Sequence, residues 1–175
     1  MGLTVFAAIS EDKVIGPYFF SEPPPRGTLG PYFKPCTVNS TRNLEMLRNW
    51  FLPQWNAVPN AAQSRIMQDG APPHFALDVR DFLNTTFGER WIGRGVEDTN
   101  LSWPPRSPDL TPCDFFLWGH IKEVVYRRNP QNYYQLMDFI TEAFAELDPL
   151  MLLRVFNSIP ARYENCVKEN GKQQL

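Results

Sequence analysis

The chain has 175 residues, is 43% hydrophobic and carries a net charge of −2. That is the size of one domain, with ample apolar material for a packed core. With 17 basic against 19 acidic residues there is no basic footprint, which excludes strong nonspecific nucleic-acid binding driven by overall charge. Cys36, Cys113 and Cys166 stand apart, with no CxxC pair and no His/Cys ligand spacing, which argues against zinc; the odd count fits a reducing compartment. No window approaches a membrane span, and the first ten residues lack the basic start of a signal peptide.

Leu3 to Ser10 reads as a strand, Glu11-Asp12-Lys13 as a polar turn, and Val14 to Phe20 as the return strand of a hairpin. Gly16-Pro17-Tyr18-Phe19 recurs as Gly30-Pro31-Tyr32-Phe33 after a proline-rich spacer, so residues 21–37 read as an inserted loop. Ser40 or Thr41 caps a helix running to about Trp55, with Leu44, Leu47, Phe51 and Trp55 on its buried side. Ser64 to Gln68 is a short strand that stops at Asp69-Gly70. A helix from about Ala71 to Phe87 follows, with Phe75, Val79, Phe82 and Leu83 inward, then a brief strand at Trp91-Ile92 and a polar loop, Gly93 to Asn100.

Ser107-Pro108 and Thr111-Pro112 each offer a hydroxyl cap followed by proline at a first helical position. From Asp114, the residues Leu117, Trp118, Ile121 and Val125 fall at helical spacing, which predicts a helix to about Tyr126 with one carboxylate at the head of an apolar stripe, aimed inward. The helix dipole alone also accounts for an acid there, at about 0.3–1 kcal/mol. A last helical region, Tyr133 to Val167, is divided by Pro149 and Pro160. The order of strands and helices predicts an α/β fold, with residues 1–128 as the core and residues 129–175 as a helical extension of the same domain.

Asp69 sits where a strand stops and Asp114 where a helix starts. In open α/β sheets ligands gather at the carboxyl ends of strands. Two inward carboxylates meeting there repel unless a cation lies between them, and Mg²⁺ is commonly held by one or two carboxylates. Asp69 also reads as a plain Asp-Gly turn.

The segment Gln68-Asp69-Gly70-Ala71-Pro72-Pro73-His74 resembles the second-carboxylate motif of mariner-type cut-and-paste DNA transposases. The segment from Trp103 to Trp118, WPPRSPDLTPCDFFLW, is similar to their third-carboxylate motif, and Val14 to Phe20, Thr37 to Ser40 and Arg90 to Arg94 resemble further segments of that family. The resemblance implies a ribonuclease H-like mixed sheet flanked by helices and a DDE/D site that uses Mg²⁺ or Mn²⁺ in phosphoryl transfer on DNA. It makes Asp69 and Asp114 the second and third metal ligands and catalytic residues. His74 is expected to order the loop beside Asp69 or to be a helix-start residue without a role, and Asp109 to cap its turn. Arg80, Arg90, Arg94 and Arg106 are candidate phosphate contacts, or simply a solvated face.

The family takes its first catalytic Asp from a central strand that precedes the one beginning here at Leu3. No other acid is expected to replace it. Glu11 and Asp12 sit at the hairpin tip, the far end of the sheet in this fold. Glu22 follows a strand two positions away, about 10 Å at ~4.8 Å per strand, against a metal–ligand distance of about 2.1 Å. The expectation is therefore a transposase-derived domain that is inactive as it stands. The alternative is a non-catalytic remnant that binds nucleic acid or a partner chain. The implied partners are transposon-end and target DNA and a second copy or an intact transposase chain, with no membrane; the implied location is the nucleus. A hydrolase of small phosphates finds no glycine-rich phosphate loop in this sequence.

Overall fold

The computed structural model describes residues 2–96, 102–104 and 107–171. The chain forms two compact units: residues 1–37 with 107–175, and residues 38–106. None of the described helices is long and apolar enough to cross a membrane.

In the first unit, β1 (Val5–Ile9) and β2 (Val14–Phe19) pair antiparallel as the expected hairpin. Ser10 closes the turn: its amide donates to the Lys13 carbonyl at 2.8 Å and its hydroxyl accepts from the Lys13 amide at 3.0 Å. The register slips between Phe6 and Ala8. Gly16 lies opposite this bulge, at φ 141°, where an added Cβ would sit 2.9 Å from the Ala7 Cβ. Residues 21–37 carry no regular helix or strand. Glu22 and Lys34 pair at 2.7 Å beside the Ser21–Pro35 bridge, and the Tyr134 hydroxyl donates to the Pro31 carbonyl at 3.2 Å.

The stripe predicted after Asp114 is present in α5 (Trp118–Arg127) and the turn before it: Leu117, Ile121 and Val125 are buried. They pack with Leu136, Ile140 and Phe144 of α6 (Tyr133–Ala145), and each such side chain contributes about 1.5–3 kcal/mol by leaving water. Asn132 caps α6 by accepting from the Gln135 amide at 2.9 Å. Pro149 and Pro160 do divide the C-terminal region. Asp148 caps α7 (Pro149–Asn157), accepting from the Leu150 amide with Pro149 at the first helical position, and α8 (Ile159–Lys168) follows.

In the second unit the cap of α1 (Ser40–Met46) is Asn39, which accepts from the Arg42 amide at 2.9 Å; it is neither Ser40 nor Thr41. The helix continues through a π-helical turn, Leu47–Phe51, into α2 (Leu52–Asn56). Pro53 explains the widening. It has no N–H to donate, and its ring crowds the carbonyl four residues back, so the turn ahead of it opens and the Leu52 amide reaches to the Leu47 carbonyl. The buried side is Asn43, Met46, Leu47 and Phe51, with Leu44 and Trp55 only half-buried.

Strand β3 (Ile66–Gln68) pairs parallel with β4 (Trp91–Gly93), Ile66 against Trp91 and Gln68 against Gly93. Between them the single helix expected over 71–87 is two: α3 (Pro72–Phe75) and α4 (Leu77–Phe87), broken at Ala76, whose ψ of 147° is extended. The break resets the helical phase. Val79, Phe82, Leu83 and Phe87 are buried, while Phe75 is carried off that face. Antiparallel and parallel pairing thus both occur, in separate two-stranded sheets among the described residues.

Trp91 is 2% exposed, and a Cβ added to Gly93 would lie 2.7 Å from its indole Nε1. Gly93→Ala is therefore expected to destabilise the chain by about 1–3 kcal/mol through overpacking. Leu117→Ala is expected to cost about 2–5 kcal/mol by leaving a cavity. Urea unfolding of both variants checks this; an unchanged midpoint for either would contradict the packing described.

Candidate active site

Asp69 is delivered by β3. Ile66 and Gln68 are buried and fix the strand, and the next residue turns its carboxylate outward, with the side chain 45% exposed. One oxygen, Oδ1, accepts from the Ala71 amide at 3.1 Å, an Asx turn that sets the path into Pro72-Pro73. The same oxygen meets His74 Nδ1 at 2.5 Å. The other oxygen, Oδ2, has no hydrogen-bond partner among the described residues. So Asp69 both makes the turn and keeps a carboxylate oxygen to offer.

The bond from His74 holds the Asp69 carboxyl below the ordinary aspartate range. Partial burial works against this, while the charge of His74 and the Ala71 amide assist it. His74 is itself positioned from a distance. Asn43, 1% exposed, donates from Nδ2 to the Pro73 carbonyl at 3.3 Å and ties α1 to the turn that carries the imidazole. Nothing in the sequence marks Asn43 as different from any helix asparagine.

Asp114 belongs to the first unit. Thr111 is extended, at φ −97° and ψ 116°, and its carbonyl accepts from the amides of Asp114 and Phe115 at 2.8 and 3.0 Å, so the chain turns helical at Pro112. The first turn, Cys113–Leu117, is π-helical, with the Trp118 amide reaching to the Cys113 carbonyl. This corrects the inward carboxylate expected from helical spacing. A wider turn rotates Asp114 away from the stripe, so Asp114 is exposed while Leu117 is fully buried. The acid remains at the positive end of a helix dipole.

Asp109 lies inside the 3₁₀ turn Pro108–Leu110 and is 7% exposed, and its backbone carbonyl accepts from Arg162 Nη1 at 3.2 Å. Glu22 is engaged by Lys34. Arg90 donates from Nη1 to the carbonyls of Ala61 and Ser64, at 3.0 and 3.4 Å, which commits that nitrogen to the protein itself. Arg80 and Arg94 lie over the ring of Phe75. Arg106 falls outside the described residues. Among the described residues no three His, Cys, Asp or Glu side chains gather as a metal site. The chemistry of Asp69 nevertheless suits a hard cation: an ionised, half-exposed carboxylate with one oxygen uncommitted.

The mariner Mos1 transposase of Drosophila mauritiana is 29% identical over 140 residues, 78% of this chain and 38% of that protein. A structure of the Mos1 transposase catalytic domain with raltegravir and Mg superposes with a TM-score of 0.76 at 25% identity, over 99% of this chain and 77% of that one. The chain is homologous to the Mos1 mariner transposase catalytic domain. A crystal structure of the mariner Mos1 paired end complex with Mg also matches, with a TM-score of 0.72 at 26% identity over 94% of this chain and 42% of that one. The chain spans well under half the length of the curated relatives it matches. No protein-family model matches it. The ribonuclease H-like α/β fold implied by the mariner motifs is the fold found.

The folded-state pKa of Asp69 is lowered, so its contribution to stability is present above the ordinary aspartate pKa of about 3.9 and is lost as pH falls through the folded value. In His74→Ala the largest cause of the lowering is gone. Carboxyl NMR titration is expected to show the Asp69 pKa rising toward the ordinary range in that variant. An unchanged titration would refute the pairing.

Proposed function

We propose that this chain is the DNA-phosphoryl-transfer core of a mariner-type transposase, with Asp69 and Asp114 as two of its three acidic ligands, and that these 175 residues alone do not cut DNA. The observation that carries the reading is Asp69 itself: an ionised carboxylate at the carboxyl end of a parallel strand, one oxygen held by His74 and the other uncommitted. The relatives add support, since Mos1 has been solved with Mg and in a paired end complex.

In this reading Asp69 and Asp114 hold Mg²⁺ or Mn²⁺. When bound, the ion supplies positive charge against the negative charge that builds on a phosphodiester under attack. The chain's own part is to keep those acids deprotonated and oriented. His74 does so at Asp69 through Nδ1, and the helix dipole favours the anion at Asp114. The substrates are transposon-end and target DNA in the nucleus. The chain works as a pair of copies or beside a second transposase chain. The cation site needs a third acid, and the motifs present account for two.

Incubating the purified chain with supercoiled plasmid and Mn²⁺ tests this. No nicking above buffer is expected, together with salt-dependent retention of the DNA. Nicking that disappears in both Asp69→Asn and Asp114→Asn would overturn the inactive reading and show that two acids suffice.

A further inference from the structure

The carboxyl ends of β3 and β4 bring two different charges to one place in the second unit. Gln68 pairs with Gly93, so the residues that follow them, Asp69 and Arg94, emerge from adjacent parallel strands. They do not pair with each other. Asp69 turns to His74, and the guanidinium of Arg94 lies over the ring of Phe75, 4.2 Å from its centroid. Arg80, from α4, lies over the same ring at 4.7 Å. Neither arginine forms an ion pair or a hydrogen bond to a side chain among the described residues, and the Arg80 Nε is buried without a partner.

Holding two guanidiniums against one aromatic ring costs mutual repulsion. Each cation–π contact returns about 0.5–1 kcal/mol at an exposed site, which does not replace the hydrogen bonds a planar fork is built to make. The backbone around them is shaped to let them in. A Cβ at Gly70 would sit 2.7 Å from the Arg94 Cδ, and one at Gly95, where φ is +80°, would sit 2.9 Å from the Phe75 ring and 3.0 Å from Arg80. Glycines on both sides leave room for the two side chains, and the ring holds them with their donors unspent.

We propose that Arg80 and Arg94, presented together by Phe75, are a paired contact for the phosphates of a nucleic-acid backbone beside Asp69. This rests on the transposase reading and narrows it. Of Arg80, Arg90 and Arg94, the first and last meet the DNA, whereas Arg90 is used internally. A chain of net charge −2 has to bind a polyanion through local clusters, and here two guanidiniums share one ring with no carboxylate ion-paired to either among the described residues. Phe75 is a positioning residue, since it acts only through the guanidiniums it holds.

The test measures duplex DNA binding by the full chain from 50 to 200 mM salt. Arg80→Gln and Arg94→Gln are each expected to lower the slope of log K against log salt by about 0.9, one phosphate contact apiece. Arg80→Lys and Arg94→Lys are expected to restore the slope. Phe75→Leu is expected to weaken binding while leaving the slope unchanged, because both charges remain. Unchanged slopes in folded Gln variants, or an equal loss in the Lys variants, would overturn the proposal.

A second arm uses inorganic pyrophosphate against chloride at matched ionic strength and reads Tm. Wild type is expected to gain more than the Arg80→Gln/Arg94→Gln double variant. Equal gains overturn the seat. A wild-type gain that exceeds the variant's, in a chain that binds no DNA, keeps the seat and removes the transposase reading.

Discussion

The parallel pairing of two three-residue strands governs everything the second unit does. Strands this short have little to hold them by hydrogen bonding alone, since each intramolecular bond is worth a net 0.5–1.5 kcal/mol or so. Burial of Ile66 and Trp91 holds them instead, with the indole folded against the bare backbone of Gly93. Once the register is fixed, the chain has no freedom about where Asp69 and Arg94 emerge. The acid and the base are set by packing, and their partners are then chosen by what each can reach: an imidazole for one, an aromatic face for the other.

Sequence patterning reached most of the elements because their periodicities are long and clean. The stripe Leu117, Ile121, Val125 and the proline divisions at Pro149 and Pro160 needed no tertiary information. The errors cluster where the backbone departs from a regular repeat. A π-helical turn moved Asp114 outward, another preceded Pro53, and an extended Ala76 split one helix into two. A 3.6-residue count assumes an unbroken cylinder, so each irregularity hides from it. The cap at Asn39 was missed by one residue, because three consecutive polar side chains offered equal chemistry.

At the site, the motif around Asp69 was legible and its electrostatics were not. The sequence QDGAPPH carries the acid, the turn and the imidazole, and the structure joins them through one carboxylate oxygen. Phe75 could not be picked out, since a phenylalanine after a Pro-Pro-His start looks like the first core residue of a helix. Its role as a seat for Arg80 and Arg94 exists only because the helix breaks behind it. Arg80, Arg90 and Arg94 looked equivalent by charge, and hydrogen-bond geometry is what separates Arg90 from the other two.

The buried amide of Asn43 has a reach beyond its own helix. It grips the carbonyl of Pro73, and the following residue is the imidazole that sets the acidity of Asp69. Any sequence drift in α1 that tilts or withdraws this side chain would leave an unpaired carbonyl inside and loosen the imidazole's anchor together. Divergence in a helix far along the chain from Asp69 and Asp114 would then surface as a change in proton affinity, a form of wear that inspection of the acidic motifs alone would never reveal.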